Sequence, residues 1–350
     1  MAYTAVDNPE LYFQTKKYAG NDTDDTAITF DNTDTNMQPD LIWEKRIDNG
    51  TGAAPLFDSV RGVTKYVKSN TNDAEATASG VKSFDSNGFT LGTAFNYSST
   101  NHCAWCWKAG TSFTNDASST GVGSIDSSGS FNNDSGVSIV TYTGTGSNGT
   151  IKHGLSSAPH VVFCKQRNET QKWIVYNKAL GAANTLHLDT TEQLQDNSAF
   201  NDTDPTTSVF SVGTIVNSNK SSGTYVAYCF APKQGFSKFG TYVGNGNADG
   251  PFIYTGFRPA FFLHTSLAGT SGEDWRITDN KRDLFNPVDR TLKPNLTAAE
   301  ADADVMDFCS NGVKIRSTDG GVNYNGRKNL YWAFAESPIV NSNGVPNNAR

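Results

Sequence analysis

A short aromatic run closes each of three successive stretches of the chain: HCAWCWK at 102–108, YVAYCFA at 225–231 and NLYWAFA at 329–335. Aligned, Trp105, Tyr228 and Trp332 share one column, and Trp107, Phe230 and Phe334 share the column two places on. Between them stands a small residue, Cys106, Cys229 or Ala333. Aromatics two apart around a small residue are what a strand produces when alternate side chains face one packed surface. Recurrence at intervals of roughly a hundred residues makes the chain an array of like units, and that limits its folds more than any other feature.

Other landmarks recur in the same order. Each unit opens on a Tyr followed by a Gly turn, at 18–21 (YAGN), 142–145 (YTGT) and 242–245 (YVGN). A proline then leads an apolar run, at 39–43 (PDLIW), 159–163 (PHVVF) and 259–263 (PAFFL). Further on, FTL at 89–91, FSV at 210–212 and VKI at 313–315 form another shared strand. The reading is an all-β chain of three tandem jelly-roll-like antiparallel β-sandwich repeats, at 12–110, 137–232 and 236–338. Its expected repeat core is Trp43, Trp105, Trp107, Phe163, Tyr228, Phe230, Phe262, Trp332 and Phe334.

Outside the units, residues 1–11 read as a polar lead that belongs to no repeat and frays by default. The Ser/Gly/Asn-rich stretch 111–136 reads as a polar linker or a hairpin anchored by Val122, Ile125 and Phe131. Lys233-Gln234-Gly235 is too short for a tether and predicts direct packing of units two and three. The tail 339–350 is expected to lie along the surface or on a neighbouring subunit. The run ELYFQ at 10–14 resembles part of a protease tag site but leads straight into the first strand, so it reads as native.

Composition narrows the function. The net charge of −7 carries no clustered basic face and argues against a nucleic-acid partner. No apolar window approaches the length of a spanning helix, so no membrane insertion is expected. The first ten residues lack the basic and apolar regions of a secretory signal, which predicts synthesis and use without Sec export. The 5 cysteines include a CxxC at Cys103 and Cys106, but an offset of three on a strand turns the two thiols to opposite faces. They read as small buried hydrophobes in a protein made for a reducing compartment.

No catalytic, cofactor or metal site is assigned. His102, His153, His160, His187 and His264 lack metal-ligand spacing, and the Gly144–Gly154 stretch sits in a hairpin, out of context for a dinucleotide loop. Asp22, Asp24 and Asp25 lie in a turn without the spaced ligands of a calcium loop. Asp302, Asp304 and Asp307 are expected to form surface pairs with Lys314 or Arg316. The charged run 272–289 (GEDWRITDNKRDLFNPVD) carries Trp275, which matches Trp173, so it reads as a decorated strand and loop on the surface or at a subunit contact. A carboxylate pair for glycoside hydrolysis is the minor alternative there.

Several segments carry a family resemblance: YTGFRPAFF (254–262), DWRITDNKRDLFNP (274–287), DFCSNGVKIR (307–316), YWAFAESP (331–338) and NGVPNNAR (343–350). PDLIWEKR (39–46), FDSVRG (57–62) and GTYVAYCFA (223–231) add to it. Together they resemble a family of repeated structural, tail-fibre-like proteins of marine tailed phages, particularly those of cyanobacteria. The resemblance implies a non-enzymatic virion component made in the host cytoplasm and displayed on the particle. It implies other virion proteins as partners, a homo-oligomer such as a trimer, and a host-surface glycan or protein as receptor. The role expected first is a tail fibre or host-recognition appendage, then a capsid decoration or head fibre, and last a polysaccharide depolymerase.

Overall fold

The computed structural model describes residues 3–31, 35–48, 50–192, 194–267 and 273–347. Among them strands dominate, every ladder between named strands is antiparallel, and the helices are single turns such as Ala117–Thr120 and Gly320–Asn323. Each unit builds an inner sheet in the same order. In the first unit Asn101–Trp107 lies between Phe13–Ala19 and Leu41–Arg46, with Pro55–Asp58 beyond. In the second, Thr224–Phe230 lies between Val137–Thr143 and Val161–Gln166, with Ile174–Asn177 beyond. In the third, Lys328–Pro338 lies between Ser237–Val243 and Phe257–Ser266, with Arg276–Asp279 beyond.

A smaller outer sheet pairs the second strand of each unit with the penultimate one. The pairs are Thr26–Thr29 with Gly88–Leu91, Gly149–Lys152 with Val209–Val212, and Phe252–Tyr254 with Gly312–Ile315. First-with-last and second-with-penultimate pairing is the wrapped connectivity of a jelly roll. The middle of each unit departs from it, because the third strand turns back as a hairpin within the inner sheet.

Register explains the aromatic columns. Trp105 pairs with Thr15 and Trp43, Tyr228 with Ile139 and Phe163, and Trp332 with Phe239 and Leu263. These side chains leave the inner sheets on one side and meet in a single core common to the three units. At its centre Trp107, Phe230 and Phe334 form a triangle with centroids 6.1, 5.6 and 6.0 Å apart, every pair edge to face. The small-residue column faces the other way. Cys106 packs with Ile42, Phe89 and Leu91 inside the first sandwich, and Cys229 packs with Val162, Phe210 and Val212 inside the second. Cys103, by contrast, lies in the common core, so the CxxC thiols do part to opposite faces.

Phe262 is fully buried in the core as expected, pairing with Ala333 and stacking on Tyr331 on the face of the strand opposite to Phe261 and Leu263. Other expectations are narrowed or corrected. The 111–136 stretch is the hairpin of the two alternatives, its strands Thr111–Asn115 and Ser127–Asn132 extending the second inner sheet. The lead does not fray over its described part. Val6 is buried in the common core, Thr4 Oγ1 donates to the Gln234 carbonyl at 2.8 Å, and Tyr3 Oη donates to the Gly256 carbonyl at 2.9 Å. The tail folds back on its own chain, where Asn347 Nδ2 donates to the Ser310 and Ser337 carbonyls.

Removing a large ring from the triangle leaves a void that the other two units must close. Phe334→Ala is therefore expected to cost about 3–5 kcal/mol in denaturant unfolding.

Candidate functional site

Two buried Asp–Arg pairs and two buried lysines lie on the seams between units. Asp58 ends the fourth inner strand of the first unit and Arg61 lies in the turn after it; both lack side-chain exposure and pair with each other. Tyr228 Oη of the second unit donates to Asp58 Oδ2 at 2.8 Å, and Arg61 Nη2 donates to Tyr228 Oη at 3.0 Å. Arg61 also reaches Glu75, which takes Nε and Nη2 of Arg167 from the second unit at 2.8 and 2.9 Å. Burial alone would lower the Arg61 pKa, but Asp58, Tyr228 and Glu75 raise it above the ordinary value.

The seam between the third and first units repeats this design. Asp279 and Arg282 pair without exposure, and Trp105 Nε1 of the first unit donates to Asp279 Oδ2 at 3.0 Å. Arg282 Nη1 reaches Glu300, whose backbone N–H donates to the Ile47 carbonyl at 2.8 Å. Two lysines on the third inner strands span the same seams. Lys45 Nζ donates to the Leu296 carbonyl at 2.7 Å, and Lys165 Nζ donates to the Asn72 carbonyl at 3.0 Å. Burial pushes each down to about 8.

At the seam between the second and third units the pair is missing. Asn177 and Leu180 stand where the other units have Asp and Arg, since Asn177 pairs with Val161 as Asp58 does with Leu41 and Asp279 with Phe261. Both Asn177 Nδ2 and Trp332 Nε1 are buried without a hydrogen-bond partner. Contact there includes Phe163 against Trp332 at 6.0 Å, Trp275 Nε1 donating to the His187 carbonyl at 2.8 Å, and an exposed Lys328 Nζ donating to the Ala179 carbonyl at 3.5 Å.

The described part of the charged run 272–289 is therefore largely interior. Asp279 and Arg282 belong to a seam, while Arg276 is nearly buried and bonds to Asp304 and Asp319. Asp304 is not a surface residue paired with Lys314 or Arg316. It is fully buried against Arg276, with His264 at 3.5 Å. Burial alone would raise its pKa, but the bonds and charges of His264 and Arg276 hold it below the usual range. Gly321 makes room for that guanidinium, since a Cβ there would lie 2.0 Å from Arg276 Nη2. Asp307 does pair with Arg316 at 2.7 Å. Asp24 and Asp25 bond to Lys82 in an exposed turn. Among the described residues no three His, Cys, Asp or Glu side chains gather as metal ligands, and no helix is long and apolar enough to cross a membrane.

One open polar groove, of about 320 Å³, lies on the second unit. The 111–136 hairpin supplies Thr114, Asp116, Asp126 and Ser128, the unit's own strands supply Thr141, Thr143 and Thr224, and Arg167 stands at the seam end. Its chemistry is hydrogen bonding to a polar ligand, with no nucleophile held by a base.

Sequence reasoning placed the aromatic columns but missed the seam chemistry. A signal was present: an Asp followed three places on by Arg recurs in FDSVRG and TDNKRD at matching positions of units one and three. His153 was passed over as well. It is buried, its Nε2 donates to the Thr206 carbonyl at 3.1 Å and its Nδ1 accepts the Leu155 N–H at 3.1 Å, an arrangement that needs the neutral ring. Burial lowers its pKa to about 4.

Asp58→Asn and Asp279→Asn are each expected to cost about 3–5 kcal/mol, because each strands a buried guanidinium, whereas Asn177→Ala costs about 1 kcal/mol; chemical denaturation compares them. For His153 the folded pKa lies below the unfolded one, so the unfolded chain takes up the proton first. Stability is then lost as pH falls from about 6.5 towards 4, by about 2–3 kcal/mol between pH 7 and 4.5, and His153→Asn removes that increment from the denaturation midpoints.

No curated protein and no solved structure matches the chain. A family model, described as a domain of unknown function (DUF7483), matches residues 8–338, a span that takes in all three units. The chain belongs to the DUF7483 family.

Proposed function

We propose that this protein is a non-enzymatic structural component of a phage virion, a tail fibre or host-recognition appendage exposed on the particle. The observation that carries the reading is that two buried Asp–Arg pairs and two buried lysines are placed on seams between units. Asp58, Arg61, Asp279, Lys45 and Lys165 each bond to a group of another unit, Arg282 holds Asp279 in place, and none of them lines the open groove. Such an arrangement suits a rigid body that presents polar loops to a partner. The resemblance of its segments to repeated tail-fibre-like proteins of marine phages supports the same reading. Copies in a homo-oligomer would associate through the exterior, since the aromatic faces are already used within the chain.

A capsid decoration protein is the second reading, favoured by one feature. Contacts run head to tail from unit one to two, two to three and three to one, so the chain closes on itself instead of extending. Quantitative mass spectrometry of purified virions separates the two. A tail appendage is expected at a low copy number tied to tail proteins, and a decoration protein at a number that scales with the major capsid protein. Absence from purified particles contradicts both.

A further inference from the structure

We infer that the groove on the second unit is a carbohydrate-binding site for neutral, hydroxyl-rich glycans, an inference that rests on the host-recognition reading above. The groove is made by a hairpin that the threefold pattern of units does not account for. The second inner sheet carries two strands before its first, whereas the sheets of units one and three end at Phe13–Ala19 and Ser237–Val243. These strands do not remove the sheet edge; they move it outward by about 10 Å.

Their effect is on the face. Thr114 pairs with Ser128, Ser128 with Thr141, and Thr141 with Val226, which lies in the common core. The face that is aromatic over the core thus continues past the core as a row of hydroxyls. The next row holds Thr143 opposite Thr224. Arg167 closes one end with its Nε and Nη2 already fixed by Glu75, so Nη1 is the donor left over from that pair. Asp126 flanks the floor on the hairpin side, and one of its oxygens accepts the Ala117 N–H.

Hydroxyl pairs and carboxylates on a fixed sheet match the donor and acceptor pattern of sugar hydroxyls. Charge selects among sugars. Arg167 is neutralised by Glu75, while Asp116 and Asp126 remain, so the groove repels uronic, sulfated and phosphorylated chains.

The test measures binding of the full chain to neutral hexasaccharides (glucan and mannan) and to an alginate hexasaccharide, by calorimetry and by amide chemical shifts. Neutral chains are expected to bind at millimolar affinity or better, roughly tenfold tighter than alginate, with shifts at Thr114, Ser128 and Thr141. Thr141→Arg is expected to lose roughly tenfold, and Thr143→Val a smaller amount, while Thr241→Arg at the matching position of the third unit changes nothing. No neutral binding, equal alginate binding, or shifts elsewhere overturns the groove assignment. Adsorption of labelled protein to cyanobacterial cells is the separate readout. Adsorption that survives Thr141→Arg leaves the host-recognition reading standing without this groove. Saccharide binding with no adsorption leaves the groove and removes the recognition role.

Discussion

The structure depends on three rings, Trp107, Phe230 and Phe334, which meet edge to face at the centre of the molecule. Each comes from the strand that ends its unit, and that strand lies between two others whose side chains continue the same face. A unit on its own would therefore turn a continuous aromatic and aliphatic surface to water. Burying large aromatics is worth several kcal/mol per ring, so the three faces hold one another. Phe13 extends the cluster, packing against Trp107, Phe261 and Phe334, which is why the first strand must begin where it does.

Around the rings, the seams also bury polar groups, and the three seams treat them differently. Two seams carry an Asp–Arg pair that also binds an aromatic donor of the next unit, Tyr228 in one case and Trp105 in the other. The third uses Asn177 and Leu180 and leaves two donors without partners. Buried ion pairs add little net stability compared with good apolar packing, but each fixes the position of its neighbour. The unequal seams therefore make the second and third units the pair held by packing more than by polar bonds.

Much of this was legible in the sequence. The aromatic columns, the small residue between them and the opposed thiols of Cys103 and Cys106 follow from the alternation of a strand, and the register bears them out. Pro259-Ala260-Phe261-Phe262-Leu263 offers buried apolar residues at both parities, and only the pairing with Lys328–Pro338 shows that Leu263 stands opposite Trp332 while Phe262 packs on the other face. Asp304, Asp279 and Arg282 looked like surface charge because their partners are supplied by other strands and another unit. The lead was legible in composition but not in place: Thr4 and Val6 dock on residues more than two hundred positions away or in a core shared by all three units. The groove could not be read at all, since its row of hydroxyls exists only once Thr111–Asn115, Ser127–Asn132 and Val137–Thr143 lie side by side.

Function follows from the same arrangement. On the proposed recognition role, a body whose seams are held by buried groups would use its exterior, and the hairpin on the second unit is a place where that exterior departs from the repeated plan. Native-state hydrogen exchange tests the shared core most directly. If the three faces stabilise one another, the slowest amides of Asn101–Trp107, Thr224–Phe230 and Lys328–Pro338 exchange with one common opening free energy, equal to that of global unfolding. Three separate values, with one unit opening while the others stay protected, would contradict the account.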